Sequence, residues 1–348
     1  MVKNTQIIFS KVPTGLPKVG EHITVQHSDL DINSLKLNQG DILIKTLVLS
    51  VDPYMRGRMR DASMKSYSPA FELGKPMNGH GVAVVVKTAN DNFKEGDYVY
   101  GMIPFAEYTH LPEQWTKVLQ VRNEARDDHL PLPHYVGVLG MPGMTAYVGL
   151  YKFGQPKEGE TIWISAASGA VGQLVGQLAK AEGLRVIGSV GDDKKSEYLL
   201  KECGFDGVFN YKTQDMDEQL TRLAPNGIDI YFENVGGKHL EVALAHANNH
   251  ARFPTCGMIS QYNLSHQEPV HNLMNIVIKR IQMCGFIVGD HAQEMGSEFV
   301  KRVTQMIKDG KVTYKDDVTN GIEGLPDALI GLFEGKNFGK AVVQVADQ

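Results

Sequence analysis

The chain has 348 residues, enough for two domains of ~100–200 residues each. With 42% hydrophobic and 22% charged residues it has the composition of a globular protein and not of a largely disordered one. Its 35 Lys+Arg against 40 Asp+Glu give a net charge of −5 without a basic block, which argues against binding nucleic-acid backbones.

Short strands come first. Residues 41–51 (DILIKTLVLSV) are β-branched and apolar with partial alternation, and residues 81–87 (GVAVVVK) read as a buried strand. Residues 97–100, 106–110 and 117–121 add shorter strands punctuated by Pro and Gly, which predicts an all-β barrel or sandwich. The apolar stretch 136–151 is interrupted by glycines and Pro142 and falls short of the ~18–20 residues needed to cross a bilayer.

Past residue 135 the pattern alternates. Residues 160–165 read as a strand, after which Val171, Leu174, Val175, Leu178 and Ala179 form one apolar helical face. A strand at 185–190 and a helix at 193–203 follow. Strands at 207–209, 228–232 and 252–256 are separated by helices at 215–223 and 238–247, and another strand covers 281–288. Phe299, Val300, Val303, Met306 and Ile307 mark a further helix. Alternating strands and helices predict a parallel sheet covered by helices, hence an α/β fold for this half. In the tail, strands at 313–319 and 341–345 flank a helix at 326–334. The expected division is residues 1–134, rejoined by 311–348, and a nucleotide-binding domain over 135–310.

No signal-peptide core is visible in the opening residues. Cys203, Cys256 and Cys284 are widely spaced, with no CxxC pair, which predicts free thiols in a cytoplasmic protein.

The strongest local motif is Ala167-x-Gly169-x-x-Gly172 between a strand and a helix, the dinucleotide pattern with its first glycine replaced by alanine. Gly169 lets backbone approach a pyrophosphate, Gly172 lets the helix pack on the strand, and the helix N-terminus offers N–H groups to phosphate. An NAD site would place an acid at the end of the next strand, where this chain has Ser189-Val190-Gly191. The run Asp192-Asp193-Lys194-Lys195 follows, and a lysine there can meet a 2′-phosphate, so NADP(H) is the expected cofactor. The alternative is that Lys194 and Lys195 are solvated first-turn residues.

No metal is expected. Gly79-His80-Gly81 resembles the Gly-His-Glu site of zinc alcohol dehydrogenases, but residues 1–134 contain no cysteine and the Glu is missing. Neither the three ligands of a catalytic zinc nor the four of a structural one are available. His246 and His250 stand four apart, at a spacing that could share a helix face, and read as surface residues.

Taken together, the chain resembles the zinc-independent branch of the medium-chain dehydrogenases/reductases. This branch holds prostaglandin reductases, plant alkenal double-bond reductases and bacterial NADPH-dependent curcumin reductases. The resemblance rests on Asp52-Pro53-Tyr54-Met55-Arg56-Gly57-Arg58, Gly140-Met141-Pro142-Gly143-Met144-Thr145-Ala146-Tyr147, Ala166–Gly172, Asn210-Tyr211-Lys212, Glu233-Asn234-Val235-Gly236-Gly237, Cys256-Gly257-Met258-Ile259-Ser260-x-Tyr262-Asn263 and Gly335-Lys336-Asn337-Phe338-Gly339-Lys340. The curcumin reductases look most alike, through Gly154-Gln155-Pro156-Lys157-Glu158-Gly159-Glu160-Thr161 and the Glu-Asn-Val-Gly-Gly form.

The resemblance implies a GroES-like β-barrel substrate domain, a Rossmann domain, a homodimer, and hydride transfer from NADPH to the β-carbon of an enal or enone. It further implies that Gly169, Ala170, Val171 and Gly172 hold the pyrophosphate, and that Lys195 and Tyr211 meet the 2′-phosphate end. Asn234 would lie along the cofactor, and Cys256, Gly257, Met258, Ile259, Ser260 and Tyr262 beside the ribose and nicotinamide. Phe286, Ile287, Val288 and Asn337 would complete the nicotinamide side.

Chemistry points to Tyr262 as well. Hydride addition to the β-carbon leaves negative charge on the carbonyl oxygen, and a metal-free site needs a hydrogen-bond donor there. Tyr262 lies just past a strand end, where open α/β sheets bind ligands, and its hydroxyl can donate. The competing role is a packing tyrosine on the cofactor. Tyr54 is a second substrate wall or donor, and Arg56 and Arg58 read as surface charges. Cys256 has no adjacent histidine base and is expected to be a small packed residue. Competing functions are a quinone or carbonyl/alcohol oxidoreductase of the same superfamily and a redox-silent NADPH-binding protein.

Overall fold

A computed structural model describes residues 1–127 and 129–347. They divide into two compact units, one made of Met1–Gly137 with the segment from Asp316 onward, the other of Val138–Lys315.

The first unit is built mainly of strands. Ile42–Ser50 is apolar on both faces and buried along nearly its whole length, which makes it the axis of the larger sheet. Along one edge it pairs antiparallel with Asn78–Thr88, with two register shifts that allow the sheet to coil. Its other edge is shared. Tyr108–Leu111 pairs with residues 42–45, and Lys340–Gln344 with residues 48–50. A second sheet sets Val2–Phe9 between Ile23–Leu30 and Lys75–Pro76. Phe9, Ile44, Leu49, Val99, Phe105, Leu329 and Val343 meet in a common core.

The second unit carries a six-stranded parallel sheet. Its strands in chain order are Thr161–Ile164, Arg185–Val190, Gly207–Asn210, Ile228–Phe232, Ala247–Thr255 and Gln282–Gly285. In space they lie 3-2-1-4-5-6. This is the doubly wound Rossmann order, and its direction reverses between Thr161–Ile164 and Ile228–Phe232. Trp163, Phe209, Tyr231 and Phe253 are buried on the face covered by the later helices. Such side chains contribute roughly 1.5–3 kcal/mol each by leaving water. The fold is therefore α/β with a strand-built first domain, as expected.

Several local expectations are corrected. The strand expected at 313–319 is Asp316–Asn320. The backbone before it bonds instead to two buried helix amides. Gln177 accepts from the Thr313 N–H at 2.8 Å and donates to its carbonyl at 2.7 Å, and Gln173 accepts from the Lys315 N–H at 2.8 Å. The strand expected at 281–288 stops at Gly285. His246 and His250 share no helix face, because the helix Lys238–His246 ends there and His250 lies in a strand with φ 66°. Arg58 is not a surface charge. It is 4% exposed, donates to the Pro69 and Asn78 carbonyls, and lies 4.1 Å over the Phe71 ring. Arg56 is half-buried and donates to the Gly15 carbonyl.

Candidate functional site in the parallel-sheet unit

The two strands flanking the reversal point are joined where they end. Ser165 Oγ accepts from the Asn234 N–H at 2.9 Å, and Asn234 Nδ2 donates to the Ser165 carbonyl at 2.7 Å. Ligands of open α/β sheets bind at this end of the sheet.

Beyond Ser165 the glycine turn forms. The left-handed residue is Ala166, with φ 47°, one position before the alanine that replaces the motif's first glycine. Ala167 points into the core, where it packs against Gly188, and its methyl fills space that a glycine would leave. Gly172 is there for contact. A Cβ would lie 2.7 Å from both the Ala166 oxygen and the Ala167 Cα. Gly169 meets only the Ala166 oxygen, at 3.1 Å, so its outer side is open. No side chain caps the helix Gly172–Ala181; the Gln173 and Leu174 N–H groups turn back to the Gly169 and Val171 carbonyls, and the helix's positive dipole end is left to a phosphate. Gly169, Ala170, Val171 and Gly172 thus fit the pyrophosphate of a dinucleotide.

At the end of the next strand the backbone runs into the helix Asp193–Lys201. The two acids here are engaged locally. Asp192 caps the helix by accepting from the Lys194 N–H at 2.8 Å, and Asp193 accepts from Asn210 Nδ2 at 2.8 Å. Lys194 is exposed, whereas Lys195 is half-buried. The Tyr211 N–H donates to the Val190 carbonyl at 3.0 Å, and its ring stands edge-on to His239 at 4.9 Å. His239 is stacked in turn on Trp163, and burial lowers its imidazole pKa to about 4. A neutral ring therefore backs Tyr211.

Glu233, which sequence reasoning quoted only as part of a motif, organises the turn after the fourth strand. It is fully buried. Its Oε1 accepts from the N–H groups of Val235 at 2.6 Å and Gly236 at 2.9 Å and from the Tyr231 hydroxyl at 3.0 Å. Burial raises its pKa, opposed by these donors. An acid preceding two glycines was the available signal.

The Cys256–Tyr262 segment hangs on this turn. Ile259 N–H donates to the Asn234 carbonyl at 3.0 Å, and Ser260 donates to the Val235 carbonyl through its N–H at 3.1 Å and its hydroxyl at 2.6 Å. Tyr262 folds back over Gly257, and its Oη accepts from the Met258 N–H at 3.3 Å. A phenol oxygen that accepts an N–H is polarised to donate its own proton. Cys256 Sγ lies 3.0 Å from Asn234 Oδ1, and burial, helped by Glu233, pushes the thiol up to about 12. It stays protonated at neutral pH and is no nucleophile.

Phe286 is buried against Phe153, with Ile287 and Val288 leading into a short 3₁₀ turn. Tyr54 and Asn337 belong to the first unit. Tyr54 stands edge-on to His80, and burial with nearby Asp52 raises its pKa, so the phenol is neutral. Asn337 Nδ2 donates to the Gly339 carbonyl at 2.7 Å. Among the described residues no group of three or more His, Cys, Asp or Glu converges as a metal site would require. His80 is half-buried, stacked on Tyr100.

Residues 5–119 match a family described as the N-terminal domain of oxidoreductase, and residues 170–305 one described as zinc-binding dehydrogenase. The chain is 46% identical to the NADP(+)-dependent 2-alkenal reductase of Nicotiana tabacum over 99% of its own length and 98% of that protein. It is 38% identical to the NADPH-dependent curcumin reductase of Escherichia coli, over 99% and 97%. Overall identity is thus higher with the tobacco enzyme, although the short motifs had favoured the curcumin reductases. The crystal structure of CurA from Vibrio vulnificus in complex with NADPH superposes with a TM-score of 0.86 at 38% identity, covering 99% of this chain and 100% of that one.

Proposed function

This chain belongs to the medium-chain dehydrogenases/reductases, alongside NADP-dependent 2-alkenal and curcumin reductases, and we propose that it reduces α,β-unsaturated aldehydes and ketones with Tyr262 serving the carbonyl oxygen. It is an NADP(H)-dependent oxidoreductase acting on carbon–carbon double bonds.

The observation that carries the Tyr262 assignment is the loop Cys256–Tyr262, hydrogen-bonded to the turn at the sheet's reversal point and ending in a phenol whose oxygen already accepts an N–H. When bound, the nicotinamide supplies the hydride that the β-carbon receives. Gly169–Gly172 hold the phosphates, and Asn234, fixed by Ser165, lines the cofactor's path. Tyr262 donates to the carbonyl oxygen, where charge grows as the β-carbon is reduced. Phe286, Ile287 and Val288 would border the nicotinamide, and the parts given to Tyr54, a neutral phenol for the substrate, and to Asn337 rest on the family resemblance. The His80 surroundings do not fit zinc, so no step is assigned to a metal.

Tyr262→Phe keeps the ring and removes the donor. Single-turnover hydride transfer to a simple enone is expected to slow about tenfold, less than the 10²–10³ typical of a lone oxyanion donor, because a cofactor ribose hydroxyl or water would still donate to the oxyanion. NADPH affinity should hold. An unchanged transfer rate would return Tyr262 to a packing role, and Tyr54→Phe would then be the next variant.

We also assign a cytoplasmic homodimer. The thiols of Cys203, Cys256 and Cys284 are free, and among the described residues no helix is long and apolar enough to cross a membrane. The edge strand Gln282–Gly285 has one unpaired side, and the preceding helix exposes Met274, Val277 and Ile278 at 66%, 69% and 59%. A second copy of the same strand, turned about a two-fold axis, would satisfy the open backbone groups and cover the apolar ones. Light scattering should give twice the chain mass of 38.4 kDa, and a monomer mass would refute the dimer.

A further inference from the structure

The end of the second sheet strand is floored by Gly191. A Cβ there would lie 3.0 Å from Lys212 Cε and 3.0 Å from Tyr211 Oη, so two side chains from the next strand's turn converge over this glycine. This is where an NAD-binding chain extends an acid toward the ribose. Here the volume is taken by a phenol and the end of a lysine.

The turn that aims them is firmly built. Asn210 is 6% exposed and bonds in several directions. Its N–H donates to Gln214 Oε1 at 2.9 Å, its Nδ2 to Asp193 Oδ1 at 2.8 Å, and its Oδ1 accepts from the Lys212 N–H at 3.1 Å. The Lys212 stem leaves this fixed turn toward Gly191, while the nearby acids Asp192 and Asp193 are occupied by the Lys194 N–H and by Asn210.

We propose that Lys212 is a specificity residue for the dianionic 2′-phosphate of NADP(H), acting beside Tyr211 over Gly191, a role that rests on the NADP(H) reading of this site. A lysine meets phosphate as a compact point charge, and a phenol can donate to a phosphate oxygen at the same time. An acid at Gly191 would face the lysine instead of the ribose, so the site both attracts the phosphate and excludes the NAD solution.

The test is direct binding to the full chain without substrate, by calorimetry, using 2′,5′-ADP and 5′-AMP as probes beside NADPH and NADH. Lys212→Ala is expected to weaken NADPH and 2′,5′-ADP by about tenfold or more and to leave NADH and 5′-AMP unchanged, with Lys212→Arg recovering most of the loss. Equal weakening of both nucleotides, or no weakening while Lys195→Ala remains selective, would overturn the role of Lys212. Wild-type protein that binds 2′,5′-ADP no better than 5′-AMP would overturn the NADP(H) reading itself and this proposal with it.

Discussion

Replacing Lys340 by methionine is expected to destabilise the first unit by about 3–5 kcal/mol, the usual cost of stranding a buried charge. The ammonium is 1% exposed and its partner Asp52 3%. It donates to Asp52 Oδ1 at 3.1 Å and to the Val51 and Ala341 carbonyls at 2.7 and 2.8 Å. The other Asp52 oxygen accepts from Ser50 Oγ at 2.5 Å. Without the lysine, Asp52 would remain buried with a hydroxyl as its partner, and two carbonyls would lose a donor. The pair ties the last strand to the segment that leads into Pro53 and Tyr54, so a tyrosine assigned to substrate is held by a contact across almost the whole chain. Urea unfolding of Lys340→Met, Asp52→Asn and the double variant checks this. The double variant should be more stable than the sum of the singles predicts. Singles that lose less than about 1 kcal/mol would show that the pair is dispensable.

Lys195→Ala is expected to weaken NADPH by about 10- to 150-fold while leaving NADH in place, because a charge-assisted contact contributes roughly 1.5–3 kcal/mol. The half-buried position of Lys195, against the exposed Lys194, favours it as the inner lysine of the pair. Fluorescence titration of both cofactors reads the difference. Equal losses would mean that the lysine supports the helix and not the phosphate.

Much of this architecture could be read before the structure. The strand Arg185–Val190 and the strand Ile228–Phe232 match their sequence expectation at both ends, since each is an apolar run bounded by turn residues. The glycine turn was legible for the same reason, as its glycines answer local contacts. Other parts depend on tertiary structure that no local pattern encodes. Ile23–Leu30 (ITVQHSDL) is largely exposed and polar and forms a strand because Val2–Phe9 pairs with it. The helix Met141–Val148 is hidden by glycines and a proline. Pro142 stands in its first turn, and Gly143 is required because a Cβ would lie 1.9 Å from the Val138 carbonyl oxygen.

Site residues divide in the same way. Asn234, Tyr262 and Tyr211 stood in recognisable motifs, but what positions them did not. Ser165 and His239 act through neighbours far along the chain, Glu233 through the buried turn that it closes, and Lys340 and Asp52 are separated by 288 residues. A charged residue inside a motif reads as surface or catalytic until its burial is known. Arg58 and Lys340 are both buried and structural.

The most direct test of the central claim is the fate of the label when the full-length protein reduces a simple enone with NADPH deuterated at the nicotinamide C4 position, the product being analysed by NMR. The function argued above predicts a saturated ketone carrying deuterium on the β-carbon. Deuterium on the carbonyl carbon of an allylic alcohol, or turnover confined to quinones, would contradict it.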